Sequence, residues 1–228
     1  MTIMKRLLTL LLLFVAASAY AASAAQKFVD MLADSGDFIK AGKYAEALKP
    51  DDVVIAQMGE HYVSGDATAQ LFAIAVAHKA LALAGLGKED DALWNWYAAA
   101  SIYPAVARSD MSAFGPAGKF LAEHPPRAVE VRAPNGAQMV PASVLKKVET
   151  KYPTRTLQTL VESPVVVEFI VGKDGRAHAP RIVGDVPAPI LAFATLEALR
   201  QWQFAPATAD GQPIDAPFRM TFGYKVLH

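Results

Sequence analysis

The sequence predicts two folded parts behind an export signal: an all-α, repeat-like helical domain, then a small α+β domain. Three observations predict it. Residues 1–25 hold a basic pair, an apolar run and small residues, in that order. Between Ala67 and Pro104, helix-forming residues run into a glycine-containing turn and resume. From Val165 onward, an alternating strand, an Asp-Gly turn, a return strand, an apolar helix and a last alternating strand follow one another.

Lys5 and Arg6 precede the apolar run Leu7 to Val15, and Ala19-Tyr20-Ala21 and Ala22-Ser23-Ala24 offer A-x-A cleavage sites. That is the plan of a secretory signal peptide over residues 1–25, and it predicts a periplasmic protein. The alternative is an inner-membrane anchor through residues 7–25, near the minimal ~17–20-residue span, but Ala and Ser in its second half contribute little transfer energy. Without the two basic residues of this segment, 20 basic residues face 22 acidic ones, a net charge of −2 with His neutral. Nucleic acid is not an expected partner, because phosphate needs a basic face. The chain contains no Cys. An exported chain without cysteine depends on its core alone and cannot be acylated on Cys.

Residues 26–124 read as helical. Counting back from Pro104, small residues fall at Ala99, Ala92 and Ala80, with Trp96 between the first two and a turn at Gly85-Leu86-Gly87-Lys88. This spacing resembles one tetratricopeptide repeat, whose small residues let two antiparallel helices pack closely. Gly42 to Leu48 looks like the start of another second helix, expected to break at Lys49-Pro50-Asp51-Asp52. About three repeats are needed for a solenoid core, so the expectation is a short bundle of repeat-like hairpins closed by a helix near Ala113 to Glu123. Trp94, Trp96 and Tyr97 cannot share one helical face, and two of the three are expected in the core. A groove for a second protein is the competing reading.

Residues 125–141 form a Pro-rich linker, extended, with one short edge strand and too short for a compartment-crossing spacer. The α+β domain occupies residues 142–228. Ala142 to Lys151 has helical spacing, and a second short helix is expected over Arg155 to Glu162. Val165 to Val171 alternates, Asp174-Gly175 supplies the positive φ of a tight turn, and Ala177 to Val183 returns. Pro189 opens a helix whose stripe is Leu191, Ala194, Ala198 and Trp202. Pro217 to Val226 alternates again, with Phe218, Met220, Phe222, Tyr224 and Val226 toward the helix. The order is helix, β-hairpin, helix, β-strand, giving about three antiparallel strands.

These elements carry a family resemblance: Tyr152-Pro153, the Val165 to Phe169 strand, Asp174-Gly175, Pro189, Leu191, Ala194, Trp202-Gln203-Phe204-Ala205-Pro206-Ala207, Gly211-Gln212-Pro213 and Phe222. Together they resemble the TonB C-terminal domain family over about the last ninety residues. Glu162-Ser163-Pro164 stands where a glycine is common in the family. Family transducers also carry an anchor with a functional histidine and a long Pro-rich spacer, and residues 1–25 contain no His. About fifteen linker residues at ~3.3 Å each reach only about 50 Å.

The resemblance implies a binding module rather than an enzyme, with an edge strand that takes an extended peptide by β-strand addition. Its candidate partner-binding residues are Tyr152, Pro153, Arg219, Thr221, Gly223 and Lys225. The implied partners are envelope proteins, among them a TonB-dependent outer-membrane receptor, in transport across the outer membrane. The alternative is a periplasmic two-domain scaffold without energy transduction, its helical domain holding a second protein. The bland reading of Arg219, Thr221 and Lys225 is a solvated face that any edge strand needs.

Chemistry-bearing patterns are absent from the sequence. His61, His78, His124, His178 and His228 are scattered and form no metal-ligand pair, so neither metal nor cofactor is expected. Gly85-Leu86-Gly87-Lys88 is followed by Glu89, which cannot replace the Ser or Thr of a P-loop. There is no G-x-S-x-G elbow. Asp51 and Asp52 read as solvated loop charges.

Overall fold

The computed structural model describes residues 25–60, 66–126, 136–151, 164–184 and 188–223. The helical part holds α1 (25–40), α2 (Tyr44–Glu60), α3 (Asp66–Gly85), α4 (Glu89–Ile102) and α5 (Gly115–Glu123), with short 3-10 turns at Pro104–Arg108 and Ser112–Phe114. α3 is long and apolar enough to span a membrane by composition, yet it is the central core helix, packed between α2 and α4. The small residues do what their spacing predicts. Ala80, Ala92 and Ala99 are fully buried, and a Cβ at Gly85 would run into the Tyr44 ring. Trp94 and Trp96 are in the core, and Trp96 Nε1 donates to the His124 carbonyl at 3.1 Å.

Two expectations fail here. α2 does not break at Pro50 but runs through it. The proline lies in the second turn, where it forfeits one backbone hydrogen bond, and the burial of Val54, Ile55 and Met58 beyond it outweighs that loss. Asp51 is no solvated loop charge. It is fully buried.

The C-terminal part contains β1 (Met139–Val140), β2 (Ser143–Lys146), β3 (Val165–Val171), β4 (Ala177–Val183), α6 (Pro189–Leu199), β5 (Gln203–Ala205), β6 (Ala207–Ala209), β7 (Gln212–Ile214) and β8 (Ala216–Phe222). The three main strands form an antiparallel sheet, as expected, and their order is β4-β3-β8. Two small sheets flank it: β1-β6-β7, and β2 with β5. The helix expected over Ala142 to Lys151 is instead β2 and extended chain. Val144 pairs with Phe204, and Trp202 Nε1 donates to the Val148 carbonyl at 2.9 Å, so tertiary pairing overrides local spacing. The helix expected over Arg155 to Glu162 lies outside the described residues.

Beneath the main sheet, Phe169, Trp202, Phe204, Phe218 and Phe222 pack ring against ring, with centroids 5.4–6.2 Å apart. Gly175 makes this possible. Its φ is +72°, its carbonyl accepts the Phe204 N–H at 2.9 Å, and a Cβ there would come within 2.5 Å of the Phe204 oxygen.

Of the expected stripe, Leu191 and Ala198 are buried on α6, Ala194 is half-buried and Trp202 lies past the helix end, while Ile190, Ala192, Phe193 and Thr195 are covered as well. The extra cover is the helical part: α3 and α4 pack on α6, and α4 also lies along β4. Asp91 pairs with Arg200, whose guanidinium stands 5.9 Å from the Trp94 ring. Burial holds Arg200 below its usual range, with Asp90 opposing, and pushes Glu197 up, with Lys79 and Trp94 opposing. Part of the expected linker is also structured, because Met139 and Val140 pair with Ala209 and Thr208.

Candidate partner-binding edge

A three-stranded sheet has two edges, and each exposes backbone groups that need partners. At β4, helix α4 covers the edge, and the Ile182 N–H donates to Ser101 Oγ at 3.2 Å. Two residues earlier, Pro180 has no N–H to offer. At β8, among the described residues, the backbone pairs with β3 alone.

Backbone groups alternate in direction along a strand, so one outward N–H fixes the others. The Ile182 N–H leaves the sheet, so Ile182 and its partner Val167 turn their backbone groups away from each other. Val167 therefore points its groups at β8, opposite Met220. The register along β8 is unbroken, so Phe218 and Phe222 share the parity of Met220. The alternate residues, Pro217, Arg219 and Thr221, aim theirs outward. Pro217 agrees independently, because proline fits a strand where its missing N–H faces no neighbour.

Side chains sort the same way. Arg219 and Thr221 are exposed, Phe218 and Met220 half-buried and Phe222 buried. On the outer face Glu168 lies opposite both Arg181 and Arg219 in the register. Arg181 holds one carboxylate oxygen, and Arg219 Nη1 stands 3.6 Å from the other. One acid between two bases leaves this face locally positive. Of the residues proposed from sequence, Arg219 and Thr221 sit together on β8, and exposed Gly223 directly follows it. Tyr152, Pro153 and Lys225 lie outside the described residues.

Sequence reasoning missed the neighbouring surface. A cavity of about 420 Å³ opens beside the start of β8, lined by Met139, Pro141, Ala142, Ala207, Pro217 and Phe218, among others. Val140 and Leu145, 55% and 69% exposed, lie on the same stretch of chain. The available signal was an apolar pair, Met139-Val140, inside a segment read as linker. No group of three metal-ligating side chains occurs among the described residues.

Residues 148–226 match the family described as Gram-negative bacterial TonB protein C-terminal. The match takes in the whole β4-β3-β8 sheet and α6, and stops short of the helical part. The resemblance read from the sequence therefore holds for the C-terminal third. Among solved structures, the chain is similar to the solution NMR structure of Pseudomonas aeruginosa TonB CTD. The identity is 22%, over 37% of this chain and 86% of that one, with a TM-score of 0.33. No curated protein matches the chain.

Proposed function

We propose that this is an exported, periplasmic TonB-like protein that binds an extended segment of an envelope protein as an added strand on β8. A TonB-dependent outer-membrane receptor is the partner that the family match favours, and transport across the outer membrane the process served. The observation that carries the reading is the asymmetry of the sheet: α4 and Pro180 close one edge, while at the other Arg219 and Thr221 aim backbone groups away from β3, where no described strand pairs with them. Tyr152, Pro153, Gly223 and Lys225 complete the proposed contact surface.

Strand parity supplies the test. Thr221→Pro removes an outward donor and leaves the β3–β8 ladder whole, whereas Met220→Pro removes a ladder donor. Peptides from TonB-dependent receptors, titrated against the full chain and followed by amide shifts, should lose binding to Thr221→Pro while its melting transition persists. Met220→Pro should instead destabilise the fold. A folded Thr221→Pro variant that binds as well as the parent chain would exclude strand addition at β8.

One observation favours the scaffold reading, in which nothing is transduced. The helical, tetratricopeptide-like part is seated on α6 and β4 through Asp91–Arg200 and Phe72–Phe193 instead of standing off on a spacer. In that reading the chain presents two surfaces in fixed relation, one to each partner. Uptake of a receptor-dependent substrate by cells lacking the chain separates the two: loss of uptake supports transduction, and normal uptake supports the scaffold.

A further inference from the structure

Asp51 is the only fully buried acid among the described residues, and it sits where α1, α2 and α3 meet. His78 of α3 places Nδ1 3.9 Å from Asp51 Oδ1. Its ring packs over Gly36 of α1, where a Cβ would come within 3.4 Å of Cε1, and edge-on to Phe114 with centroids 5.9 Å apart. Ser35, also buried, lies beside Asp51 and donates to the Ala47 carbonyl at 3.4 Å. Among the described residues, neither Asp51 oxygen nor His78 Nδ1 has a hydrogen-bond partner.

The charges around the pair come from three helices. Lys40 of α1 faces His78, while Asp52 of α2 and Lys79 of α3 face Asp51 and pair with each other at 2.8 Å. Phe114 brings no charge. A carboxyl O–H opposite an imidazole lone pair satisfies both groups after an approach of about 1 Å. A carboxylate opposite the same lone pair sets two acceptors against each other where water cannot reach.

We propose that Asp51 and His78 hold one proton between them, that this proton fastens the α1–α2 hairpin onto α3, and that its loss in alkaline surroundings releases the hairpin. The inference is independent of strand addition at β8.

Burial raises Asp51 to about 8, with Ser35 and Lys79 lowering it and Asp52 raising it. Burial, reinforced by Lys40, lowers His78 to about 4. The signs then follow from counting protons. Between about 4 and 6.5 the folded pair carries one proton on Asp51 and the unfolded pair one on His78, so the pair's contribution to stability is flat there. Above 6.5 the unfolded pair has none, while the folded pair keeps its proton until about 8. Stability therefore falls as pH rises through that window, by roughly thirtyfold in the folding constant for about 1.5 pH units.

The experiment uses the full chain. The side-chain carboxyl ¹³C resonance of Asp51 should titrate near 8, and the Ile39 and Ile55 methyl resonances should change in the same window while those of Val165 and Val167 do not. In urea, the folding constant of the parent chain relative to Asp51→Asn should drop roughly thirtyfold from about pH 6.5 to about pH 8.5. A carboxyl that titrates in the ordinary range near 4 overturns the shared proton. Unmoved Ile39 and Ile55 methyls while Asp51 titrates overturn the fastening. A constant ratio to Asp51→Asn overturns both, and the titration of the parent chain decides alone where that variant does not fold.

Discussion

Phe72 of α3 meets Phe193 of α6 edge-on, with ring centroids 5.5 Å apart, so the core of the helical part runs into that of the sheet part. A fragment from Gly136 to His228 keeps Val165, Val167, Leu191, Leu196, Trp202 and Phe222, a core of its own. It leaves Phe193 without Phe72 and the Ile182 N–H without Ser101. The expected outcome is a cooperative melt at a lower temperature than the full chain, with binding of a hydrophobic dye that the full chain does not show. A fragment without any cooperative melt would make the two parts one folding unit and remove the domain boundary.

Trp202 is 5% exposed, with Phe222 5.4 Å and Phe204 6.2 Å away between ring centroids. Trp202→Ala should cost about 3–5 kcal/mol, a large aromatic truncated in a packed core. Trp202→Phe keeps most of the packing and gives up the bond to the Val148 carbonyl, a cost on the order of 1 kcal/mol. Denaturant titration of both variants should rank them in that order. Equal losses would mean that the hydrogen bond, not the ring, anchors the segment after β2.

What the sequence made legible followed from backbone period and turn chemistry. Val165 to Val171 and Pro217 to Phe222 alternate, so their buried faces could be read directly, and Asp174-Gly175 announced the hairpin of β3 with β4, whereas the pairing of β3 with β8 could not be read. The small residues at Ala80, Ala92 and Ala99 likewise announced close helix packing. What stayed hidden was set by partners distant in sequence. Val144 and Leu145 fit a helix or a strand, and only Phe204, sixty residues on from Val144, decides for the strand. Asp51 looked solvated because nothing local shows that Ser35 and His78 bury it. The outward direction of Arg219 and Thr221 depends on Ile182 meeting Ser101, eighty-one positions apart.

Two glycines in the left-handed region separate backbone strain from close approach. Gly211 has φ +78° and no atom within 4 Å of the place a methyl group would take, whereas at Gly175, φ +72°, a methyl would press on the Phe204 carbonyl. Gly211→Ala should cost about 1 kcal/mol, the conformational penalty alone. Gly175→Ala should cost more than that and weaken the Phe204 N–H bond to its carbonyl. Urea midpoints give the first comparison and amide exchange at Phe204 the second. Equal costs would show that the hairpin moves aside freely and that its docking on β5 contributes little.

If a partner strand is held by the backbone of Arg219 and Thr221, side-chain charge is a minor contributor to affinity. Arg219 is exposed and already shares Glu168 with Arg181, so its attraction for an acidic peptide is screened. Arg219→Ala should weaken peptide binding by about 0–1 kcal/mol, at most roughly fivefold in Kd, and Lys225→Ala by a similar amount. Moderate salt should erase most of that difference while leaving the parent affinity largely intact. Isothermal titration at low and physiological salt measures both effects. A loss on the order of a hundredfold for Arg219→Ala, recovered by Arg219→Lys, would mean that charge recognition dominates at this edge and backbone pairing does not.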